Sequence, residues 1–157
     1  MGDWKPPLAT SASERKMLTD VDAFGWHFVN VMESAEEGPF SYTIGLWRTW
    51  QHPEIIITGL RTEVAPLLLR NVVEKVQKGW RASQTERDPD ILEGFDCGYA
   101  AVPPSKRNKA GFAHWYYGIC GFELVQLLWP DKRNRLPGDD DWDASYRETQ
   151  QLLFEDS

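Results

Sequence analysis

Residues 40 to 60 read FSYTIGLWRTWQHPEIIITGL, and several side chains in this stretch could do chemistry. His52 and Glu54 flank Pro53. In extended backbone, residues two apart share a face. An imidazole and a carboxylate there could act as base and orienting acid. Trp47 and Trp50 stand just before them, on what reads as a loop between two strands. Upstream, Tyr42-Thr43-x-Gly45 sits in a strand-like run. A glycine in a strand marks a bulge, or a place where a ligand or second backbone comes close. Hydroxyls of Ser41 and Thr43 would flank that bare backbone and could receive a nucleotide or flavin phosphate. Each feature also has a packing reading. Pro53 could fix a turn, with His52 bonded to a carbonyl and Glu54 solvated, and Gly45 could let an aromatic such as Trp115 lie flat.

Two later stretches add candidates. In FAHWYYGI, an extended reading puts His114 and Tyr116 on one face and Trp115 and Tyr117 on the other. His plus Tyr in a cleft suits acid–base or anion-binding work, and equally suits a hydrogen-bonded core. In FELVQLLWPD, Gln126 is polar inside an apolar run. A buried amide must find partners, so Gln126 either ties elements together or reads the amide edge of a ligand. Asp131, after Pro130, suits a turn cap. The candidate ligand-binding set is therefore Tyr42, Thr43, Trp50, His52, Glu54, His114, Tyr116 and Gln126. Most of these features are expected to be packing.

Other chemistries find little support. His27, His52 and His114 are far apart in sequence, and no paired-cysteine or H-E-x-x-H spacing exists. Asp139, Asp140, Asp141 and Asp143 lack the pattern of an EF-hand loop. No metal or cofactor is expected. Cys97 and Cys120 have no activating context and are expected as reduced thiols. There is no P-loop, G-x-G-x-x-G or G-x-S-x-G motif. Lys106, Arg107 and Lys109 read as a solvated hairpin loop.

The elements that must position these residues follow from periodicity. The 157 residues suit one domain, with 1–10 as a flexible arm and 11–157 as the globular part. A helix is predicted over 13–24, capped by Ser11 or Ser13 and stopped by Gly25. Strands are predicted at 26–32, 40–47 and 54–60, the last apolar on both faces and so central. Thr62 opens the clearest helix, 62–78, with Val64, Leu67, Leu68, Val72 and Val76 inward and Gly79 as its stop. The polar stretch WRASQTERDPDILEGFD reads as irregular. Further strands follow at CGYAAVP, FAHWYYGI and FELVQLLWP, although FELVQLL alone also fits a short helix, then a charged loop and a short final helix. The fold class is α+β, a mostly antiparallel sheet of about five or six strands carrying one main helix.

A net charge of −7 argues against nucleic acid as partner. No run is long and apolar enough for a membrane span. The eight tryptophans suit interfaces as well as cores.

Together, FSYTIGL with HPEIIITGL, then FAHWYYG, then VQLLWPD resemble a bacterial family defined as domain of unknown function 4262. The resemblance runs from about Gly25 to Asp143. It rests on Y-T-x-G-L, H-P-E and Q-x-x-W-P-D taken together. The family's Pro-Trp-Asp ending is interrupted here, because an acidic insertion in LPGDDDWD separates Pro137 from Trp142 and Asp143. The resemblance implies a single-domain cytoplasmic bacterial protein and brings no assigned activity. Two functions stay open. One is a non-catalytic binding or protein-interaction module with a basic protein partner. The other is a nucleotide- or flavin-like small-molecule binder, or an enzyme, with a His/Tyr/Gln pocket. The first is preferred, since nothing meets a catalytic test. The oligomeric state stays open.

Overall fold

A computed structural model describes residues 3–83 and 86–155. Residues 1 and 2 of the expected arm, 84 and 85 of the stretch read as irregular, and 156 and 157 of the expected final helix lie outside them.

Helix α1 spans Ala12–Phe24. The Ser11 hydroxyl accepts from the Glu14 N–H at its start, which satisfies one of the free donors of a helix end. Gly25, at φ 88°, closes the helix and donates to the Val21 carbonyl. The sheet then begins with β1 (His27–Val31) and β2 (Phe40–Ile44). A short helix, α2 (Leu46–Trp50), joins β2 to β3 (Glu54–Thr58). Helix α3 is Ala65–Gln77, followed by β4 (Asp88–Leu92), β5 (Phe95–Ala101), α4 (Gly111–Tyr117) and β6 (Leu124–Leu128).

The six strands lie in the order β1-β2-β3-β6-β5-β4. Every pairing is antiparallel except β3 with β6. The fold is therefore α+β, with a mostly antiparallel sheet. Strands β3 and β6 are central and buried at every residue. Side chains alternate across a strand, so β3 feeds two cores. Ile56 joins Met17, Val21, Tyr42, Ile44, Tyr116 and Tyr117 on the α1 and α4 face. Ile55 and Ile57 join Leu68, Leu69, Val72, Val76 and Leu127 on the α3 face.

Several expectations need correction. FAHWYYGI is a helix, not a strand. Ala113, Tyr116 and Tyr117 are its buried residues, the three- and four-residue spacing of a helical face. The sixth strand is β4, in the stretch read as irregular, and it turns into β5 through Gly94 at φ 81°. Strand β2 stops at Ile44, and the segment read as the Trp47–His52 loop is largely α2. Thr62 does not cap α3, which starts after Val64 without a side-chain cap. Leu67 is 56 % exposed, and Leu69 and Val73 fill the inward stripe in its place. The final helix is a single 3₁₀ turn at Ala144–Glu148. Trp4 donates to the Tyr116 carbonyl at 3.1 Å and packs against its ring. Among the described residues no helix is long and apolar enough to cross a membrane.

Candidate functional site

The densest polar cluster surrounds Glu54, which is fully buried at the first position of β3. Its Oε1 accepts from the Thr43 hydroxyl at 2.7 Å and the Leu46 N–H at 3.2 Å. Its Oε2 accepts from the Gly45 and Trp47 N–H groups, both at 3.0 Å, and from the Tyr117 hydroxyl. The Tyr117 oxygen itself accepts from the N–H groups of Gly45 and Arg48. Helix α2 has no side-chain cap of its own. A carboxylate from the next strand supplies what an N-cap residue would. The paired ladder of β2 and β3 reaches Tyr42–Ile56. Beyond it, Thr43 Oγ1 takes the Ile55 N–H at 2.9 Å, so the side chain replaces the strand as partner. Burial pushes the Glu54 carboxyl up to about 7, against the pull of its Tyr117, Trp47, Thr43 and Leu46 donors.

His52 is buried beside this cluster but serves another purpose. One ring nitrogen, Nδ1, lies 2.8 Å from the Pro53 carbonyl, which can only accept. The other, Nε2, lies 3.1 Å from the Ala82 N–H, which can only donate. The ring is therefore the neutral Nδ1–H tautomer with both nitrogens occupied. Burial lowers its pKa, which favours the same form. Trp80 stacks against it at 6.3 Å. The imidazole pins the segment after α3 to the start of β3.

The other expected residues scatter. Tyr42 accepts the Phe112 N–H at 2.9 Å, and burial pushes its hydroxyl up to about 12. Tyr116 accepts from Arg48 at 2.8 Å, while burial keeps its pKa above the ordinary value. His114 is exposed, because residues two apart on a helix face nearly opposite ways. It shares no face with Tyr116. The two tryptophans of α2 are both half-buried and divide between the cores, Trp47 toward α1 and α4 and Trp50 toward α3. Among the described residues, none of the eight residues of the expected set lines the grooves that hold Phe40 and Thr149, Ser105 and Leu153, Met32 and Thr62, Lys16 and Arg70, or Lys75 and Tyr99.

Gln126 is fully buried and holds the C-terminal segment on the sheet. It donates to the Gln151 carbonyl at 2.7 Å and to Thr58 Oγ1 at 3.1 Å, and accepts the Leu153 N–H at 2.8 Å. Gln150, not expected from the sequence, makes a two-point bond with the Trp129 backbone. Asp131 caps a turn through the N–H groups of Arg133, Arg135 and Asp143. Gln126→Leu should lower stability by about 1–3 kcal/mol, since the Leu153 N–H loses its partner. Urea denaturation checks this, and an unchanged midpoint would show that the tail contributes nothing to stability.

Tyr117 is the main member of the cluster that the sequence reading missed. The signal available was helical spacing from Ala113 between two glycines. A second missed pair is Asp20 with His27. Asp20 Oδ2 lies 2.8 Å from His27 Nδ1 on the surface between α1 and β1. Among the described residues, no group of three or more His, Cys, Asp or Glu side chains could hold a metal ion. Cys97 is buried and Cys120 exposed, and both are free thiols. Burial, with Asp88 and Asp96 nearby, pushes Cys97 up to about 12. A thiol reagent should therefore modify Cys120 rapidly in the folded protein and Cys97 only after unfolding. Mass spectrometry of the labelled protein checks the order, and rapid native labelling of Cys97 would refute it.

No curated protein and no solved structure matches the chain. Residues 20–143 match the family described as Domain of unknown function (DUF4262). That span runs from α1 through the turn after β6, and it contains Glu54, all its donors and Gln126. The chain belongs to the DUF4262 family.

Proposed function

We propose that this protein is a non-catalytic binding module whose partner is a basic protein segment. The observation that carries the reading is the saturation of the motif residues. Both nitrogens of His52, both oxygens of Glu54 and the amide of Gln126 are spent on internal bonds. A base or nucleophile needs a free lone pair within reach of substrate, and these groups offer none. They act as ties within the fold, which leaves recognition to the surface.

One face suits the expected partner. Two adjoining grooves, of about 300 and 490 Å³, share Gly38, Pro39, Gly59, Glu148 and Thr149. Glu33, Glu36 and Glu148 are exposed on their rims and have no ion pair among the described residues. Met32, 68 % exposed, adds an apolar anchor at the same place. The basic residues on the same linings, Lys109, Arg147 and Arg61, are paired with Glu37, Glu155 and Glu63, so the unpaired carboxylates around a flexible thioether suit a cationic segment with apolar positions. The net charge of −7 would steer such a segment in.

The test is titration with an arginine- and lysine-rich peptide at increasing salt. Binding should weaken as salt rises, because rim charges are screened. Glu33→Lys with Glu36→Lys should weaken it about tenfold or more, about 1.4 kcal/mol. Binding equal in the double variant, or none at low salt, would sink the reading.

A further inference from the structure

A groove of about 600 Å³ opens along the free edge of β1, between α1 on one face of the sheet and α3 on the other. Its aromatic wall is Phe24, Trp26 and Phe28. Phe24 ends α1 and is 67 % exposed, so its ring is open to a ligand in the groove. Trp26 and Phe28 are half-buried against the α3 core, with ring centroids 6.0 Å apart. On the α1 side, Asp20 and Lys16 lie one and two turns before Phe24 and share its stripe. Asp20 bonds His27 Nδ1 at 2.8 Å and Lys16 Nζ at 3.1 Å. Its carboxyl sits below the ordinary range despite some burial, because His27 and Lys16 both bond it. The carboxylate thus fixes the ring of His27, and His27 Nε2 has no partner among the described residues. Across the groove, Arg70 of α3 is exposed and has no ion pair among the described residues.

These groups differ from the buried ties in being unspent, and His27 is also held in one orientation. An aromatic wall takes a flat ring. A guanidinium without a carboxylate takes an anionic group, with a geometry that suits carboxylate or phosphate equally. In its neutral form, an imidazole held by Asp20 through Nδ1 presents Nε2 as an acceptor for a donor on the ring edge. A concave surface with an apolar lining and a few placed polar groups is the usual form of a small-molecule site.

We propose that this groove binds a planar aromatic anion. Its ring lies on the wall of Phe24, Trp26 and Phe28, its carboxylate or phosphate pairs with Arg70, and a ring-edge donor meets His27 Nε2. Asp20 is a positioning residue that sets the direction of His27. This site is separate from the acidic face proposed for a protein partner and does not depend on it.

The test is calorimetric titration of the full chain with three probes: flavin mononucleotide, adenosine monophosphate and indole-3-carboxylate. At least one should bind with one-to-one stoichiometry and a Kd below about 1 mM. It should also shift the indole N–H signal assigned to Trp26 by NMR. Arg70→Gln and Phe24→Ala should each weaken binding about tenfold while leaving the melting temperature unchanged, since both side chains are exposed. Phosphate probes binding without the carboxylate would assign a nucleotide-like ligand, and the reverse an aromatic acid. Absence of binding by all three at about 1 mM, or binding that both variants leave intact, would overturn the proposal. Glu33→Lys with Glu36→Lys should leave probe binding unchanged, so failure of the peptide reading and failure of this one are told apart.

Discussion

Glu54→Ala should cost about 3–5 kcal/mol, enough to unfold the chain or leave it marginal. The substitution removes the acceptor for three backbone N–H groups, Gly45, Leu46 and Trp47, and for the Thr43 and Tyr117 hydroxyls. A water entering the vacated space has two lone pairs to offer five donors, so most of them lose their acceptor. Denaturant titration measures the loss, and a cost below about 1 kcal/mol would show that α2 needs no acceptor from β3. Glu54→Gln isolates the charge. Burial raises the folded pKa from 4.5 to about 7. A carboxyl shifted upward favours folding below its unfolded pKa and loses that contribution as pH rises through the folded one. Between about pH 4.5 and 7 the wild type should lose on the order of 3 kcal/mol from this group alone, at about 1.4 kcal/mol per pKa unit. The Gln variant lacks this titration, so the stability advantage of Glu over Gln should shrink as pH rises across that window. Carboxylates such as Asp139, held down by the Leu136 N–H and by Arg87, act in the opposite sense. Their contribution is present above the ordinary value of 3.8 and lost at lower pH. The difference between the two proteins is therefore the informative curve. An advantage that grows with pH would mean that the donors outweigh burial.

How much of this was legible depends on sequence distance. The Ile55–Ile57 run states its central position outright, because only a strand with cores on both faces is apolar at consecutive residues. Ser11 and Gly25 mark the ends of α1 by local chemistry that operates within a few residues. Gln126 announced a buried tie, since an amide in an apolar strand must find partners. Glu54 carried no such mark. Its five donors come from β2, the Gly45 junction, α2 and α4, and Tyr117 lies 63 residues away. That partner sat in FAHWYYGI, whose aromatic residues have strand propensity that tertiary packing overrode. Reading it as a strand moved His114 inward and paired it with Tyr116, whereas the helix turns His114 to solvent and brings Tyr117 to the carboxylate. The Asp20–His27 pair was hidden for another reason. Its spacing of seven crosses the α1 stop, so neither the helical nor the strand period holds from one residue to the other.

Gly45→Ala should cost about 3 kcal/mol or more, although only one methyl group is added. Two effects combine. Gly45 sits at φ 109°, a region that residues with a Cβ enter at a cost of about 1–3 kcal/mol. A Cβ there would also stand 2.6 Å from the Gly25 carbonyl and 3.0 Å from the Trp26 Cα. Both neighbours are backbone and cannot swing aside. They are held in turn, since Thr49 Oγ1 donates to the Gly25 carbonyl at 2.8 Å and the Trp50 ring lies over Gly25. Gly94→Ala supplies the control. Gly94 has φ 81° in the β4–β5 turn, with open space where the Cβ would go. Its variant bears only the conformational term, about 1 kcal/mol. The excess cost at Gly45 measures the crossing of the α1 stop with the start of α2, and equal losses at the two sites would show that no such crossing constrains the fold. Because Gly25 adjoins Phe24 and Trp26, any relief of the clash must move the aromatic wall of the β1 groove. Gly45→Ala should therefore also shift the Trp26 indole signal, a change that Gly94→Ala should not produce.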